Sequence, residues 1–503
     1  MAKKKKSLLY RLRVALASIV FPLITLLFLD FTGVVHQYFG FLAKIQFLPA
    51  LLALNVVVVL ALVVLTIIFG RIYCSVICPL GILQDIFSHL HGRLKRNRFT
   101  FSPAKNWLRY GLLIIFMALL LAGFASLAAL IDPYSAFGRI AQSLLQPAFL
   151  FGNNLLAGLA ERMNSYTFYH VDIWIRGIFT LGVAIGTLTI VGILSWKHGR
   201  TWCNTICPVG TVLSFLSRFA WFRIFIDAKK CVDCSLCERN CKTAAIDYKA
   251  HTVDHSRCVV CGVCQGVCGK QAISYVHKNP NRQFTTEDNN KTAPDNNRRA
   301  FLFGAALAAG TAALAQEKKK VDGGLAVIED KKAPQRQTPI TPPGSYSANN
   351  MAQHCTACQL CVAACPNHVL RPSTNLKTFM QPVLSYERGF CRPECNRCTQ
   401  VCPTGAIRPL SVPDKTGAHI GHAVWVSQNC LPAKDGIACG NCERHCPVGA
   451  IQMVPLKPDD EFSPLVPAVD EEFCIGCGAC EYVCPSRPFP AIYVEGHEQH
   501  RMD

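Results

Sequence analysis

The spacing of the cysteines constrains this chain more than any other feature of its 503 residues. Of its 28 cysteines, 24 form six groups of four, and four groups follow the pattern Cys-x2-Cys-x2-Cys-x3-Cys. Bacterial ferredoxins ligate [4Fe–4S] clusters with this spacing, because three closely spaced thiolates wrap one face of a cluster. The regular groups are Cys231, Cys234, Cys237 and Cys241; Cys258, Cys261, Cys264 and Cys268; Cys355, Cys358, Cys361 and Cys365; and Cys474, Cys477, Cys480 and Cys484.

Two further groups differ in their first interval. It holds three residues in the group Cys391, Cys395, Cys398 and Cys402, and eight in the group Cys430, Cys439, Cys442 and Cys446. Structural zinc favours Cys-x2-Cys pairs that are separated by a long gap, and disulfides require no tight triplets. Neither alternative predicts six quartets without a remainder, so we expect six [4Fe–4S] clusters bound by these 24 cysteines.

The fourth cysteine of such a group points away from its own three and ligates the neighbouring cluster. We therefore expect three two-cluster modules in which neighbouring groups exchange their fourth cysteine. The predicted sets are Cys231, Cys234, Cys237 with Cys268; Cys258, Cys261, Cys264 with Cys241; Cys355, Cys358, Cys361 with Cys402; Cys391, Cys395, Cys398 with Cys365; Cys430, Cys439, Cys442 with Cys484; and Cys474, Cys477, Cys480 with Cys446. The sequence contains no haem-attachment motif, P-loop or dinucleotide fingerprint.

Four apolar stretches in the first 200 residues are long enough to cross a hydrocarbon layer of ~30 Å as helices. They are residues 12–29, 47–69, 107–131 and 173–194. Basic residues concentrate before the first stretch, at residues 3–6, and between the second and third, which places both ends of this four-span bundle in the cytoplasm. The formal net charge of +19 falls to roughly +7 when each of six clusters contributes about −2. This balance suits membrane anchoring, and no nucleic-acid partner is expected.

An internal repeat lies within the apolar part. Residues 70–81 read GRIYCSVICPLG and residues 199–210 read GRTWCNTICPVG, so the bundle is predicted to be duplicated. Each copy contains a Cys-x3-Cys-Pro pair, which we expect where a span ends, because proline disfavours helix at the preceding residue. The four thiols either converge as an additional redox or metal centre or pack as small side chains at helix ends. They are Cys74, Cys78, Cys203 and Cys207.

Several polar and aromatic residues lie near the predicted span ends. Four of them are expected to be interfacial anchors rather than quinone ligands: Arg71, Arg200, Tyr73 and Trp202. A solvated surface position is expected for Asp30, Asp132, His89 and His198. The sequence identifies no catalytic residue.

The predicted fold class is an α-helical membrane bundle of four duplicated spans combined with α+β ferredoxin-like two-cluster modules. Residues 1–225 form the membrane domain, 226–277 the first module, 278–350 a linker, and 351–410 and 411–503 the second and third modules. Within the linker, Arg298 and Arg299 precede a short apolar run that ends at residue 315. This segment, 298–315, reads as an anchor, a cleaved export signal or neither.

These motifs resemble a known group of proteins. Residues 1–277 resemble NapH, the membrane component of a quinol dehydrogenase, and more broadly the NosR and CcoG membrane ferredoxins. Residues 298–503, a twin-arginine-like segment followed by four quartets, resemble NapG, the exported four-cluster partner. The resemblance implies a bacterial inner-membrane electron-transfer protein, a component of a quinol dehydrogenase. It would pass electrons from quinol to a periplasmic reductase or cytochrome, with residues 226–277 cytoplasmic and 351–503 periplasmic.

Two alternatives are also compatible with the sequence. One is an assembly factor or metal reductase of the NosR and CcoG type, and the other is a membrane-tethered polyferredoxin that is entirely cytoplasmic. The first interpretation carries a difficulty, because a bilayer would separate the first module from the other two. A continuous path would need a centre within the membrane, for which the Cys-x3-Cys-Pro pairs are the candidate.

Overall fold

The computed structural model describes residues 7–94, 99–165, 167–277, 329–460 and 463–502. The predicted segment 298–315 and the basic residues 3–6 lie outside this part of the chain. The described residues between positions 7 and 220 are mainly helical: α1 (Leu8–Leu29), α2 (Val34–Phe39), α3 (Phe41–Lys44), α4 (Phe47–Leu52), α5 (Val56–Phe69), α6 (Tyr73–Val76), α7 (Pro79–Leu94), α8 (Asn106–Leu121), α9 (Ala125–Ala128), α10 (Pro133–Ile140), α11 (Gln146–Arg162), α12 (Ile178–His198) and α13 (Pro208–Ser217). Two π-helical turns, Ala141–Leu145 and Trp202–Ile206, join α10 to α11 and precede α13.

Two of these helices are long and apolar enough to cross a membrane. Among the described residues, α1 and α12 meet this condition, with mean hydropathy values of 2.3 and 2.1. Only 28% and 22% of their apolar windows are buried within the protein, so most of their apolar surface faces outward.

The prediction of four uninterrupted spans is wrong for the second and third stretches. Asn55 interrupts residues 47–69, because its side chain accepts a hydrogen bond from Val58 N–H at 3.3 Å and begins α5 anew after α4. Gly123, at a φ of 80°, lies just beyond the end of α8 and interrupts residues 107–131. The continuous helical run from α10 through α11 was not predicted, although Asp132 and Pro133 form a capped start of the usual kind.

The two cysteine-rich parts of the chain lie at opposite ends of the helices. Ser7 Oγ, at the start of α1, donates a hydrogen bond to Gly262 O at 3.1 Å, whereas Phe31 O, beyond its end, accepts one from Arg397 at 2.8 Å. Helix α12 runs the other way, since Arg200 N–H beyond its end donates to Lys242 O at 2.8 Å. The 22 residues of α1 correspond to a separation of roughly 33 Å at 1.5 Å per residue.

The first cysteine-rich part is a small α+β unit. Strands β1 (Phe222–Ile226) and β4 (Ile273–His277) pair antiparallel around β2 (Ile246–Asp247), β3 (Thr252–Val253), α14 (Leu236–Arg239) and α15 (Val263–Val267). The register pairs Phe222 with His277, so the sheet begins slightly before the predicted boundary at residue 226.

The second cysteine-rich part contains short helices and three two-stranded antiparallel sheets. Its elements are α16 (Ala348–His354), α17 (Leu360–Ala364), β5 (Leu370–Pro372), β6 (Pro382–Leu384), α18 (Arg397–Val401), α19 (Val412–Thr416), β7 (Ala418–Trp425), α20 (Leu431–Asp435), α21 (Asn441–Arg444), β8 (Ile451–Pro455), β9 (Leu465–Val469), α22 (Ala479–Val483) and β10 (Ile492–Met502). The pairs are β5 with β6, β7 with β10, and β8 with β9.

One buried core connects the helices to the second cysteine-rich part. Phe28 of α1 packs against Tyr134 and Phe137 of α10, and this core continues into Cys358 and Leu360. A Cβ on Gly138 would lie 2.3 Å from Cys358 O, so the helix and the loop approach each other at van der Waals distance. The helices and this part therefore form one packed body.

Candidate metal centres

The four regular quartets share one backbone geometry. In each of them, the residues that flank the second cysteine have positive φ angles: Asp233 and Ser235, Val260 and Gly262, Ala357 and Gln359, and Gly476 and Gly478. This conformation lets the backbone N–H two residues after the first cysteine approach its sulfur, as in Ala357 N–H to Cys355 Sγ at 3.4 Å. Such bonds favour the thiolate, which is the form that binds metals.

The structure brings neighbouring quartets together so that each lends its fourth cysteine to the other. Three pockets are each lined by four cysteines: Cys446, Cys474, Cys477 and Cys480; Cys365, Cys391, Cys395 and Cys398; and Cys430, Cys439, Cys442 and Cys484. Electrostatic contacts likewise join Cys402 to Cys355, Cys358 and Cys361, and Cys241 to Cys258, Cys261 and Cys264. In the first module, Cys231, Cys237 and Cys268 pack in one cluster together with Cys241, Cys258 and Cys264, and the assignment of Cys268 to the first set stays a prediction.

The chemistry of these sites fits iron–sulfur clusters. Burial raises the pKa of the Cys237 and Cys442 thiols to about 11, so a positive charge is needed to keep them ionised at neutral pH. Sulfurs around a single tetrahedral zinc ion lie about 3.8 Å apart. Within the described ranges, the one group with three ligand atoms inside 4.8 Å is Cys231, Asp233 and His251. The quartets are thus too wide for one ion and suit a larger cluster.

The two Cys-x3-Cys-Pro pairs converge at a separate buried site between the helices. Cys74, Cys78, Cys203 and Cys207 are each at most 3% exposed. The sulfurs of Cys78 and Cys207 interact electrostatically with those of Cys74 and Cys203. We call these four residues the four-cysteine site.

The two copies of the repeat bind each other reciprocally. Arg71 of the first copy donates a hydrogen bond to Cys203 O at 3.2 Å, and Arg200 of the second donates to Cys74 O at 2.7 Å. The final glycine of each copy is also required, because a Cβ on Gly81 would lie 2.3 Å from Cys74 O. The corresponding Cβ on Gly210 would lie 2.2 Å from Cys203 O.

The prediction of interfacial anchors at this repeat is wrong. Arg71 and Arg200 are 0% exposed, and Tyr73 and Trp202 are buried with them. The physical reason is that the segments after α5 and α12 fold inward and pack on each other, which the apolar pattern does not reveal.

Two functional side chains beside the four-cysteine site were missed. Asp85 forms ion pairs with Arg13, with Arg200 at 2.8 Å and with Lys242 at 3.4 Å, and the neighbouring Gln84 donates a hydrogen bond to Cys203 Sγ at 3.1 Å. A signal for Asp85 was available, because it is the only acidic residue between positions 31 and 131.

The expectation of solvated carboxylates at Asp30 and Asp132 is also wrong. Asp132 is 1% exposed and caps α10 by accepting the Ser135 N–H at 2.8 Å, and Asp30 accepts the Gly33 N–H at 2.8 Å. His89 and His198 are exposed as expected. Asp132 interacts electrostatically with both Cys78 and Cys358, so it lies between the four-cysteine site and the nearest quartet site.

Family profiles match several of the cysteine-rich segments. Residues 51–98 and 179–228, which contain the two Cys-x3-Cys-Pro pairs, each match a profile described as a 4Fe-4S binding domain. Profiles described as 4Fe-4S dicluster domains match residues 254–369, 351–416 and 437–487.

Curated relatives decide the family. The methylamine utilization ferredoxin-type protein MauM of Methylophilus methylotrophus is 34% identical over 172 residues, which are 32% of this chain and 72% of MauM. The ferredoxin-type protein NapG of Escherichia coli K12 is 31% identical over 216 residues, 40% of this chain and 86% of NapG. The chain belongs to the NapG and MauM ferredoxin-type proteins.

A more distant relative of this ferredoxin-type protein is NapF of Escherichia coli K12, which is 26% identical over 163 residues, 31% of the chain and 87% of NapF. No solved structure matches the chain. Membership of this family makes the chain an iron–sulfur electron-transfer protein. The relation of residues 1–277 to NapH, NosR and CcoG stays a prediction.

Proposed function

We propose that this ferredoxin-type protein carries electrons from a membrane quinol across the bilayer to a periplasmic reductase or cytochrome. Six [4Fe–4S] clusters, each able to take up and release one electron, would be held by the 24 quartet cysteines. The observation that carries the proposal is the placement of two groups of quartet sites at opposite ends of the same helices, with Ser7 bound to Gly262 and Phe31 bound to Arg397.

The outer surface of the helices supports membrane insertion. Side chains such as Leu16, Ile178 and Ile193 are between 42% and 82% exposed on α1 and α12. Apolar surface of this extent is costly in water and favourable in lipid. The length of α1, roughly 33 Å, matches a hydrocarbon layer of ~30 Å.

The orientation follows from the basic residues. Positive charge before α1 and between α7 and α8 favours the cytoplasm for the end that carries residues 226–277. Residues 351–503 then lie in the periplasm, and the segment 298–315 provides the crossing or the export signal. A polyferredoxin with all its sites in the cytoplasm would not need its two cluster-binding parts at opposite helix ends.

The quartet sites in residues 351–503 form a connected row that leads away from the helices. The site that contains Cys358 packs against α10. The quartet that begins at Cys391 contacts the quartet that begins at Cys474, because the Cys391 N–H donates to Cys477 O at 2.9 Å. Tyr386 OH donates to Gly476 O at 2.7 Å and fixes the same contact. The outermost site has partly exposed cysteines, Cys439 and Cys442, where a partner can approach.

The charge of the outermost module indicates the kind of acceptor. Residues 411–503 contain 13 acidic and six basic side chains, in a chain that has 51 basic and 32 acidic residues overall. Electrostatic complementarity guides the encounter of redox partners. The proposed acceptor therefore presents a basic face around its own redox centre.

The test of quinol oxidation is anaerobic and uses the whole protein. The cluster-loaded protein is mixed with a reduced menaquinone analogue, and cluster reduction is followed by electron paramagnetic resonance. We expect reduction of the clusters by the quinol. Clusters that accept electrons only from a stronger reductant would contradict the proposed donor.

Orientation is tested separately in cells. A reporter that is active only in the periplasm is fused after Asp503, and a second fusion ends after residue 277. We expect activity from the first fusion and none from the second. An inactive reporter after Asp503, in cells that produce the full-length fusion, would contradict the proposed path across the membrane.

A further inference from the structure

We propose that the four-cysteine site binds a seventh iron–sulfur cluster, held within the helical part by Cys74, Cys78, Cys203 and Cys207. The proposal deepens the proposed function and rests on it only for the direction of electron flow. The binding of the cluster itself is argued from the charges, the width and the position of the site.

The charges around the site call for an anionic occupant. Arg71 is fully buried, and within the described part of the chain it makes no ion pair with a carboxylate. Its guanidinium instead lies 2.8 Å from Asn204 Oδ1, 3.0 Å from Ser256 O and 3.8 Å from Cys74 Sγ. A buried cation without a counter-charge is strongly unfavourable, so the sulfur beside it is the natural source of negative charge.

Counting the neighbouring ions leads to the same conclusion. The positive charges near the site belong to Arg13, Arg71, Arg200 and the partly buried Lys242, and Asp85 and Asp132 supply two negative charges against these four. Four thiolates on an iron–sulfur cluster carry a net charge of about −2. Such a cluster would balance most of the remaining positive charge, whereas four protonated thiols would balance none.

The donor set distinguishes a cluster from other occupants. All four cysteines are free thiols in the structure, so no disulfide consumes them. Among the described residues, no three of these four sulfurs lie within 4.8 Å of one another, whereas the ligands of a single tetrahedral ion would. The ferredoxin quartets share this width. Four sulfurs that interact electrostatically but are too far apart for one ion fit the larger cluster.

The position of the site fits a relay between the two cluster-binding parts. On one side, Arg71 bonds to Ser256 O and interacts with Cys258 of the first module. On the other side, Asp132 interacts with both Cys78 and Cys358. The site thus divides the roughly 33 Å along α1, a distance too long for a single tunnelling step, into two shorter ones.

Native mass spectrometry of the detergent-solubilised, cluster-loaded protein tests this proposal. We expect the mass of the full chain with six [4Fe–4S] clusters plus one further cluster. A fully loaded chain that never exceeds the mass of six clusters would overturn the proposal. This measurement needs no variant, so it decides the question even if cysteine substitutions prevent assembly.

A double variant, Cys78→Ser with Cys207→Ser, locates the cluster. It should lose the mass of one cluster and retain six, while Thr205→Ala, in the π-helical turn that precedes Cys207, should keep all seven. A double variant that keeps the wild-type cluster mass would overturn the assignment to these cysteines. Reduction of the six remaining clusters by the quinol analogue is measured separately. A failure of the proposed quinol oxidation can therefore be distinguished from a failure of the seventh-cluster assignment.

Arg71 provides a further readout. Arg71→Gln removes the counter-charge and should reduce occupancy of the seventh cluster or shift its reduction potential downward, because the more negative reduced state loses a neighbouring cation. Arg71→Lys keeps the charge and should restore much of the wild-type behaviour. If the seventh cluster had the same occupancy and reduction potential in Arg71→Gln, Arg71→Lys and the wild-type protein, the role given to Arg71 would be contradicted.

Discussion

Asp85 stabilises the end of the helical part that contacts residues 226–277. Its carboxylate pairs with Arg13, Arg200 and Lys242, which come from α1, the second repeat and the first cluster module. Removal of one partner from a buried ion pair costs about 3–5 kcal/mol, because uncompensated charges stay buried. We expect Asp85→Asn to lower the free energy of unfolding in detergent by this amount.

The matched control is Asp227→Asn. This carboxylate lies 3.9 Å from Lys230, whose side chain is 66% exposed. An exposed pair contributes less than about 1 kcal/mol, so the control should unfold almost like the wild type. Equal losses in the two variants would show that Asp85 does not hold the three elements together.

His500 predicts a pH dependence of the second cysteine-rich part. Burial, with a smaller contribution from His497, lowers the pKa of His500 from 6.5 to about 4. On acidification, His500 therefore binds a proton in the unfolded chain at a higher pH than in the folded chain. The part of the free energy of unfolding that His500 contributes above pH 6.5 is lost as the pH falls towards 4. Between pH 7.5 and 5.5 this linkage amounts to about 1.4 kcal/mol.

The variant His500→Phe removes this titration. Denaturant unfolding at pH 7.5 and 5.5 should show that the variant loses about 1.4 kcal/mol less than the wild type on acidification. The comparison between the two proteins cancels the acid sensitivity of the clusters, which both share. The same pH dependence in both would mean that His500 is not the group responsible.

At the scale of elements, the loop Cys474–Cys480 joins the second and third cluster modules through close contact. Gly478 has a φ of 77°, and a Cβ there would lie 2.2 Å from the ring of Tyr386. We expect Gly478→Ala to displace Tyr386, break its bond to Gly476 O and lower the iron content of the purified protein. Gly440→Ala, where a Cβ would meet nothing within 4 Å, should retain wild-type iron. Unchanged iron in both variants would contradict the tight packing inferred here.

The cysteine grouping could be predicted from the sequence because it depends on local spacing. Three sulfurs within seven residues must surround one volume, and Cys402 or Cys484 can then only face the adjoining group. The end of α1 at Leu29 and the approximate position of α12 also followed from apolar length alone, whereas α1 begins four residues before the predicted stretch.

The interior of the helical part could not be predicted because it depends on contacts between distant segments. The reciprocal bonds of Arg71 and Arg200 join residues more than 120 positions apart, and a basic residue at a span end reads as an anchor until its partner is known. The helix interruptions at Asn55 and Gly123 depend on local sequence. They were missed because a search for long apolar stretches accepts a single Asn or Gly within a stretch. Asp132 was misread for the same reason, since its position near a span end says nothing about burial.

At the scale of the whole molecule, the helices act as a spacer and as an attachment surface for the two cluster-binding parts. The first cysteine-rich part attaches through Asp85 and Lys242, and the second through Trp174, whose ring lies 4.4 Å and 4.8 Å from the guanidinium groups of Arg371 and Arg388. These contacts fix the distance between the parts. A rigid spacing is what electron transfer between buried sites requires, because its rate falls steeply with distance.

The central claim is that one chain conducts electrons from one side of a membrane to the other. The most direct measurement uses sealed vesicles that contain the purified protein and trapped ferricyanide, with dithionite added outside under anaerobic conditions. We predict loss of the ferricyanide absorbance in vesicles with wild-type protein, and much slower loss in empty vesicles or with the Cys78→Ser and Cys207→Ser double variant. Ferricyanide that stays oxidised inside the vesicles, although the outer clusters become reduced, would contradict the account.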